Sequence, residues 1–292
     1  MTRFEQAAAP LRRELLAHCY RMLGSWDDAE DAVQETYLRG LRAWEGFEQR
    51  ASARTWLHRI ATNVCLNAAR DRGRRALPSG LGAPSGGVDD APEVLAPETW
   101  IQPVNDARSD LRLAFIAGMQ TLPPTQRAVL LLRDVLSFPA AEVADMLDMS
   151  VAAVKSSLQR ARARLADVAP EPDDVVEPSA PEARRLLDAY VTAFETADVD
   201  VLTAVLRADA TLELVPSRAW YAGKARCTPV LTGAVGDPGD WRMQRTVANG
   251  QPAVAAYLQG EPFGVAVLDV RRDGIAGISV FGDPALVERF GE

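Results

Sequence analysis

Apolar residues return every three or four positions through Leu11 to Leu23, Asp27 to Trp44 and Ser52 to Arg72, a spacing that predicts three amphipathic helices. In the second, Val33, Tyr37, Leu41 and Trp44 form the expected core stripe. Asp28, Asp31, Gln34, Glu35 and Leu38 take the opposite face. Ser25 followed by Asp28 reads as a capping box, and an acidic first turn suits the positive end of the helix dipole. From Leu77 to Val104 the chain turns to Pro, Gly, Ser and Asp, a composition that predicts a linker without a core. Helical patterning resumes from Asp106 to Ala169, broken at Thr121-Leu122-Pro123-Pro124-Thr125. After a Pro-rich stretch to Pro181 comes one more amphipathic helix, Glu182 to Leu206. The pattern then changes to short alternating or apolar runs at Thr211 to Val215, Trp241 to Val247, Ala253 to Gln259, Gly264 to Arg271 and Ile275 to Phe281. The expected boundaries are a helical domain over 10–76, an acidic linker over 77–105, a second helical domain over 106–169, a linker over 170–181 and an α+β domain over 182–292 with a curved antiparallel sheet.

Within the second helical domain, Pro139 to Leu147, the turn Asp148-Met149-Ser150 and Val151 to Leu165 have the proportions of a helix-turn-helix, with Ser150 as N-cap. Val151, Val154, Leu158, Ala161 and Leu165 fall on one face, expected to point inward. Lys155, Gln159 and Arg162 share an outer ridge beside Ser156 and Arg160, a set able to grip phosphates and reach base edges. The helix from Ser52 differs. Trp56, Leu57 and Ile60 are its expected anchors, Arg59 lies among them, and Asn63, Asn67 and Arg70 follow on one side before Arg72, Arg74 and Arg75. Planar amides can bond an exposed base edge, arginines can hold phosphates, and an aromatic can fill the gap left by an unstacked base.

Composition narrows the picture. The chain has 292 residues and a 48% hydrophobic fraction, enough for more than one core. No apolar run is long enough for a membrane span and the N-terminus does not read as a signal peptide, so a cytoplasmic location is expected. Cys19, Cys65 and Cys227 are too widely spaced for a disulfide framework or a CxxC site, and are expected in the core; His18 and His58 are the only histidines. Metal chemistry is not expected. A net charge of −8 disfavours unaided DNA binding, but the basic residues Arg50, Arg54, Arg59, Arg70, Arg72, Arg74 and Arg75 are concentrated against the single acid Asp71, and Lys155, Arg160, Arg162 and Arg164 form a second cluster. Such a chain should bind DNA firmly only when a partner holds it there.

Asp28-Ala29-Glu30-Asp31-Ala32-Val33-Gln34-Glu35, Thr55-Trp56-Leu57-His58-Arg59-Ile60-Ala61-Thr62-Asn63, and Leu122-Pro123 with Gln126-Arg127 through Val154-Lys155-Ser156 and Arg160-Ala161-Arg162 resemble bacterial RNA polymerase sigma factors of the extracytoplasmic-function type. The resemblance covers about 10–168. It implies two all-α sigma domains, region 2 and region 4, with polymerase core and promoter DNA as partners. Asp28, Asp31, Gln34, Glu35 and Leu38 would dock on polymerase. Trp56, Arg59, Asn63, Asn67, Arg70, Arg72, Arg74 and Arg75 would serve the minus-ten element, and Lys155, Ser156, Gln159, Arg160 and Arg162 the minus-thirty-five element. In this family the acidic linker threads into the enzyme, which would make Asp89 to Asp110 a nucleic-acid mimic. No cofactor, metal or catalytic residue is implied.

Asn249-Gly250-Gln251-Pro252-Ala253, Trp220-Tyr221-Ala222-Gly223-Lys224, Phe281-Gly282-Asp283-Pro284 and Phe290-Gly291 resemble the cone-shaped SnoaL-like domain that some of these sigma factors append, which is thought to regulate them. Trp220, Tyr221, Arg245, Asn249 and Tyr257 are the candidate pocket residues for a small ligand. Glu213, Asp269 and Tyr257 are the residue types that isomerase chemistry would require, although turnover is not expected. Two other readings stay open: an autonomous ligand-responsive repressor, which has no need of the acidic helix or of Trp56 to Asn63, and an enzyme with a DNA-binding appendage.

Overall fold

The computed structural model describes residues 2–47, 52–86, 93–106, 111–166 and 176–291, without the side chains of 71 and 72. Its helices in chain order are α1 (Arg3–Ala8), α2 (Arg12–Leu23), α3 (Trp26–Ala43), α4 (Ala53–Arg72), α5 (Leu113–Thr121), α6 (Pro124–Leu130), α7 (Ala140–Met146), α8 (Val151–Ala166), α9 (Pro181–Glu195) and α10 (Val199–Ala204). There follow β1 (Leu206–Val215), β2 (Trp220–Ala222), α11 (Lys224–Val235), β3 (Trp241–Ala248), β4 (Gln251–Leu258), β5 (Glu261–Arg271), β6 (Gly274–Phe281) and α12 (Pro284–Phe290). Two compact units result, Met1–Arg75 with Ala114–Ala169, and Ala76–Leu113 with Pro170–Glu292. The expected linker over 77–105 therefore belongs wholly to the second unit, which its composition does not suggest.

In the first unit α2, α3 and α4 pack on one another. Ser25 caps α3 by accepting from the Asp28 N–H at 3.2 Å, while the Asp28 carboxylate takes Arg75 at 2.7 Å. The buried stripe of α3 is Ala29, Ala32, Val33, Thr36 and Gly40. Leu41, expected in the core, is 51% exposed. Close helix approach explains the shift toward small residues: a Cβ at Gly40 would lie 2.8 Å from the Phe4 ring and 3.3 Å from Leu57. Tyr37 and Trp44 instead join Phe4 in edge-on ring contacts at 6.0 and 5.5 Å.

All three cysteines are free and buried. His18 and His58 are fully buried in a T-shaped contact at 5.6 Å. Thr62 gives its hydroxyl proton to the His58 carbonyl at 2.7 Å, so it accepts from His18 Nε2 at 2.9 Å. His18 therefore carries a proton on Nε2, and burial, followed by the charges of His58 and Arg21, holds its pKa well below 6.5. His58 is also lowered, chiefly by burial, against the opposing pull of the Arg54 carbonyl and Glu14. A histidine depressed in the folded state contributes stability that is complete above its unfolded value and is lost as pH falls below it. Stability of this unit is therefore expected to drop from about pH 6.5 downward by up to ~1.4 kcal/mol per pH unit per histidine. Urea unfolding at pH 8.0, 6.5 and 5.5 checks this; the His18→Gln variant should show a shallower slope.

The second unit carries a six-stranded sheet in the order β2-β1-β6-β5-β4-β3. It is mixed rather than purely antiparallel, because β1 runs parallel to β6, with Leu212 opposite Ile278. The helix expected over Glu182 to Leu206 breaks after α9: Ala197 adopts φ +54°, and the Asp198 carboxylate restarts the chain as α10 by accepting from Val201 N–H at 2.9 Å. At Gly264 in β5 a Cβ would lie 2.0 Å from the Phe281 carbonyl oxygen, so the close β5–β6 approach requires glycine. α9 and α11 pack along the sheet, enclosing a cavity of about 430 Å³, and α12 packs against β5. This is the expected α+β cone.

The segment expected to lack a core supplies one. Ala76, Leu77, Trp100, Ile101 and Val104 are each at most 6% exposed. Asn249, buried and at φ +53°, accepts from Val104 N–H at 2.9 Å through Oδ1 and donates to the Leu111 carbonyl at 2.7 Å through Nδ2. Gln251 accepts from Leu113 N–H at 2.9 Å, and Glu213 accepts from Ser79 N–H at 3.1 Å.

Candidate nucleic-acid interface

Ser52 caps α4 by accepting from Thr55 N–H at 3.0 Å. Leu57, Ala61 and Cys65 then fall on the inner face and are fully buried. On the outer face Arg59, Asn67 and Arg70 are exposed and Asn63 is half-buried, so the structure brings these four together along one ridge. Arg70 donates to Asn67 Oδ1 at 3.2 Å, which leaves the amide's N–H₂ group outside this bond. Arg74 is exposed beyond the helix end. Arg75 does not join it: with its side chain 10% exposed, it pairs with Asp28, whose side chain is 12% exposed, and ties the end of α4 to the start of α3. Both were expected on binding faces, and burial of opposite charges explains why they turn inward. Arg50 and the side chain of Arg72 lie outside the described residues.

Trp56 is half-buried and stacks on Phe47 at 4.7 Å, with Trp44 at 5.8 Å. It joins an aromatic cluster with Trp44 and Phe47. The first half of α4 also meets the helix-turn-helix. Arg54 donates to the Leu136 carbonyl at 3.1 Å and sits 4.4 Å over the Phe138 ring, Thr55 donates to Glu142 at 3.0 Å, and Arg59 lies 3.7 Å from Asp148. Sequence reasoning overlooked Arg54 and Thr55 as contact points. Acids on the first helix-turn-helix helix, opposite in sign to the arginine run, were the available signal.

Ser150 caps α8 through Ala153 N–H at 3.1 Å. Val154, Leu158 and Ala161 are buried with Ser157, whereas Val151, expected inward, is 40% exposed at the first turn. Lys155, Gln159, Arg160 and Arg162 are exposed and Ser156 is half-buried, on adjoining outer faces. Arg162 is held by a bidentate pair with Asp134 at 2.7 and 2.8 Å, and this raises its pKa further. Arg160 donates to Ser157 at 3.3 Å.

On α3, Asp31, Gln34 and Leu38 are exposed, and Glu35 is fixed by Arg39 at 2.7 Å. Leu41 extends this ridge as a second exposed leucine that the core assignment had hidden. In the expected acidic mimic, Asp89, Asp90 and Asp110 lie outside the described residues. Glu93 pairs with Arg218 at 3.3 Å.

The candidate pocket residues are placed elsewhere. Trp220 donates to the Gly82 carbonyl at 3.0 Å, Arg245 pairs with Asp188 at 2.6 Å on the surface, Tyr257 lies under Arg242 at 3.6 Å, Tyr221 belongs to the core, and Asn249 grips residues 104 and 111. None of them lines the 430 Å³ cavity. Nor do Glu213, which also accepts from Ser279 at 3.1 Å, or Asp269, which pairs with Arg271 at 2.8 Å. Alternation marks two faces of a strand without saying which one is covered by the preceding segment and which by α9 and α11.

Residues 8–75 match the Sigma-70 region 2 family and residues 112–165 the Sigma-70 region 4 family. The chain is 45% identical over 310 aligned positions to the ECF RNA polymerase sigma factor SigG of Mycobacterium tuberculosis, covering 99% of this chain and 83% of that protein. It is 31% identical to SigJ of the same organism over 69% of this chain and 61% of that one. The crystal structure of SigJ shares the fold across 94% of this chain and 95% of its own, with a TM-score of 0.67 at 22% identity. With two sigma domains in family order and a relative 45% identical over 99% of this chain, the chain belongs to the extracytoplasmic-function RNA polymerase sigma factors.

Proposed function

We propose that this sigma factor docks on polymerase core through the exposed α3 ridge of Asp31, Gln34, Glu35, Leu38 and Leu41. Arg59, Asn63, Asn67, Arg70 and Arg74 then hold the opened minus-ten strand, and Lys155, Ser156, Gln159, Arg160 and Arg162 read the minus-thirty-five element. The observation that carries this reading is the α4 ridge, where two amides lie between two guanidinium groups over a buried apolar face. Trp56, Asp28 and Arg75 act as supports of these surfaces. Because the net charge is −8, DNA binding depends on core polymerase. A mobility shift of promoter fragments with and without core tests this: a shift that requires both proteins supports it, and an equally strong shift by the chain alone favours the repressor reading.

The C-terminal unit regulates initiation, with a small molecule as its input. Residues 76–113 join the two halves of the sigma unit in sequence yet are bonded into the C-terminal unit, while Thr55 and Arg59 of α4 are engaged by Glu142 and Asp148. Spanning two promoter elements requires those contacts to open. Replacing Asn249 by Ala removes two side-chain hydrogen bonds to the joining segment, worth about 1 kcal/mol each. Run-off transcription by core plus Asn249→Ala is expected to exceed that by the unchanged chain several-fold. Equal output would remove the regulatory role of this contact.

A further inference from the structure

The chain continues past α6 as a π turn, Leu131–Val135, whose wider spacing keeps Leu131 and Leu132 both fully buried while Asp134 emerges on the surface. α6 packs on α8, and Asp134 reaches across to Arg162 there. The pair is side-on and bidentate: Arg162 Nε donates to Oδ2 at 2.8 Å and Nη2 to Oδ1 at 2.7 Å. Among the described residues, Arg162 is the one cation of α8 held by a side chain from another element, since Arg160 bonds Ser157 of its own helix. An exposed ion pair adds little to stability, so what this one supplies is geometry. The Arg162 side chain stays 61% exposed, yet the plane of its guanidinium is fixed. The two Nη1 hydrogens and the second Nη2 hydrogen remain for another acceptor.

We propose that Asp134 is a positioning residue for minus-thirty-five recognition: it aims the Arg162 guanidinium at one DNA phosphate and so fixes the register in which α8 lies along the groove. Recognition helices meet base edges with their first turns. Arg162 is the twelfth residue of α8, roughly 16 Å beyond its start, on the ridge that also carries Lys155 and Gln159. The major groove is about 12 Å wide, so a side chain that far along the helix meets the backbone at the groove's edge rather than the bases. Backbone contacts are what set register. A planar fork held at one edge suits two oxygens of a single phosphate at the other. The Asp134 carboxylate itself repels the backbone and weakens binding to any sequence, while the order it imposes favours the sequence that lets every contact form at once. This assignment rests on the reading of α8 as the minus-thirty-five helix and adds the residue that acts behind it.

Asp134 lies on the surface, so Asp134→Ala is expected to fold with an unchanged melting curve. The test uses the full chain with core polymerase on linear templates randomised upstream of a fixed start, sequencing those that yield RNA. The unchanged chain should enrich a farther upstream element. Holoenzyme binding is then compared on an enriched template and on the same template with that element scrambled. Asp134→Ala should lower the ratio of the two affinities by about five-fold or more, yet strengthen binding to the scrambled template by about two-fold. A merely structural carboxylate would leave both weaker on removal, and a merely repulsive one would leave both stronger alike. Arg162→Ala should lower the ratio by a similar factor, and adding Asp134→Ala to it should lower the ratio no further, because the carboxylate acts through the arginine. An unchanged ratio in Asp134→Ala, or an equal further loss in the Arg162→Ala background, overturns the assignment. If the unchanged chain enriches no farther element, the minus-thirty-five reading fails and takes the assignment with it. An enriched element whose discrimination ignores Asp134 leaves that reading standing and removes the positioning role alone.

Discussion

Replacing Arg127 by Leu is expected to destabilise the sigma unit by about 3–5 kcal/mol and to lower its unfolding transition by roughly 10 °C or more. Arg127 is 4% exposed and has no carboxylate partner among the described residues. It donates to the Met22 carbonyl, to Gln120 Oε1 at 2.6 Å, and to the carbonyls of Gln120 and Leu122 at 3.2 and 3.1 Å. Burial lowers its pKa to about 10, so it remains a cation at neutral pH. Its loss strands the C-terminal carbonyls of α2 and the end of α5 together, and an apolar side chain offers them nothing. Lysine should fare little better, since an ammonium cannot span four acceptors lying on different elements. Differential scanning calorimetry of the full chain checks both variants; a shift of less than 2–3 °C for Arg127→Leu would show that water replaces the guanidinium without penalty.

A second large effect is expected from Arg59→Ala, Asn63→Ala and Asn67→Ala combined, with run-off transcription falling by two orders of magnitude or more while association with core is kept. Each lost base or phosphate contact costs about 1–3 kcal/mol, and three at the lower limit already reach a hundred-fold. These side chains point outward, so stability should change by less than about 0.5 kcal/mol each. Pre-opening the minus-ten region with mismatched bases should restore part of the activity, because the melting cost these residues offset is then absent. Full activity of the triple variant on ordinary duplex would remove α4 from promoter opening.

Much of the sigma unit was legible because helical spacing and serine caps act locally: Ser25, Ser52 and Ser150 each cap the helix they precede. Periodicity fails at helix ends and close crossings. Val151 lies 40% exposed in the first turn of α8, one turn before the buried Val154, and Leu41 is exposed because Gly40 takes the inner position. The joining segment was read as coreless because Leu77, Trp100, Ile101 and Val104 follow no period; their partners are strands over a hundred residues away, and only the sheet gives them a face to bury. For the same reason the parallel β1–β6 pair was hidden, since nothing in either strand encodes the direction of its neighbour. The cavity was missed for a different cause: polar and aromatic residues were weighed for chemistry, whereas its wall is built from ordinary core types and one tyrosine.

The most direct measurement is transcription of sheared genomic DNA from the source organism by core polymerase, with and without the purified chain, followed by sequencing of the 5′ ends. New start sites sharing two short upstream elements at a fixed spacing, and dependent on Lys155 and Arg160 at the farther element, are the expected result. A set of 5′ ends identical to that of core alone, under conditions where the chain is folded, would contradict the account.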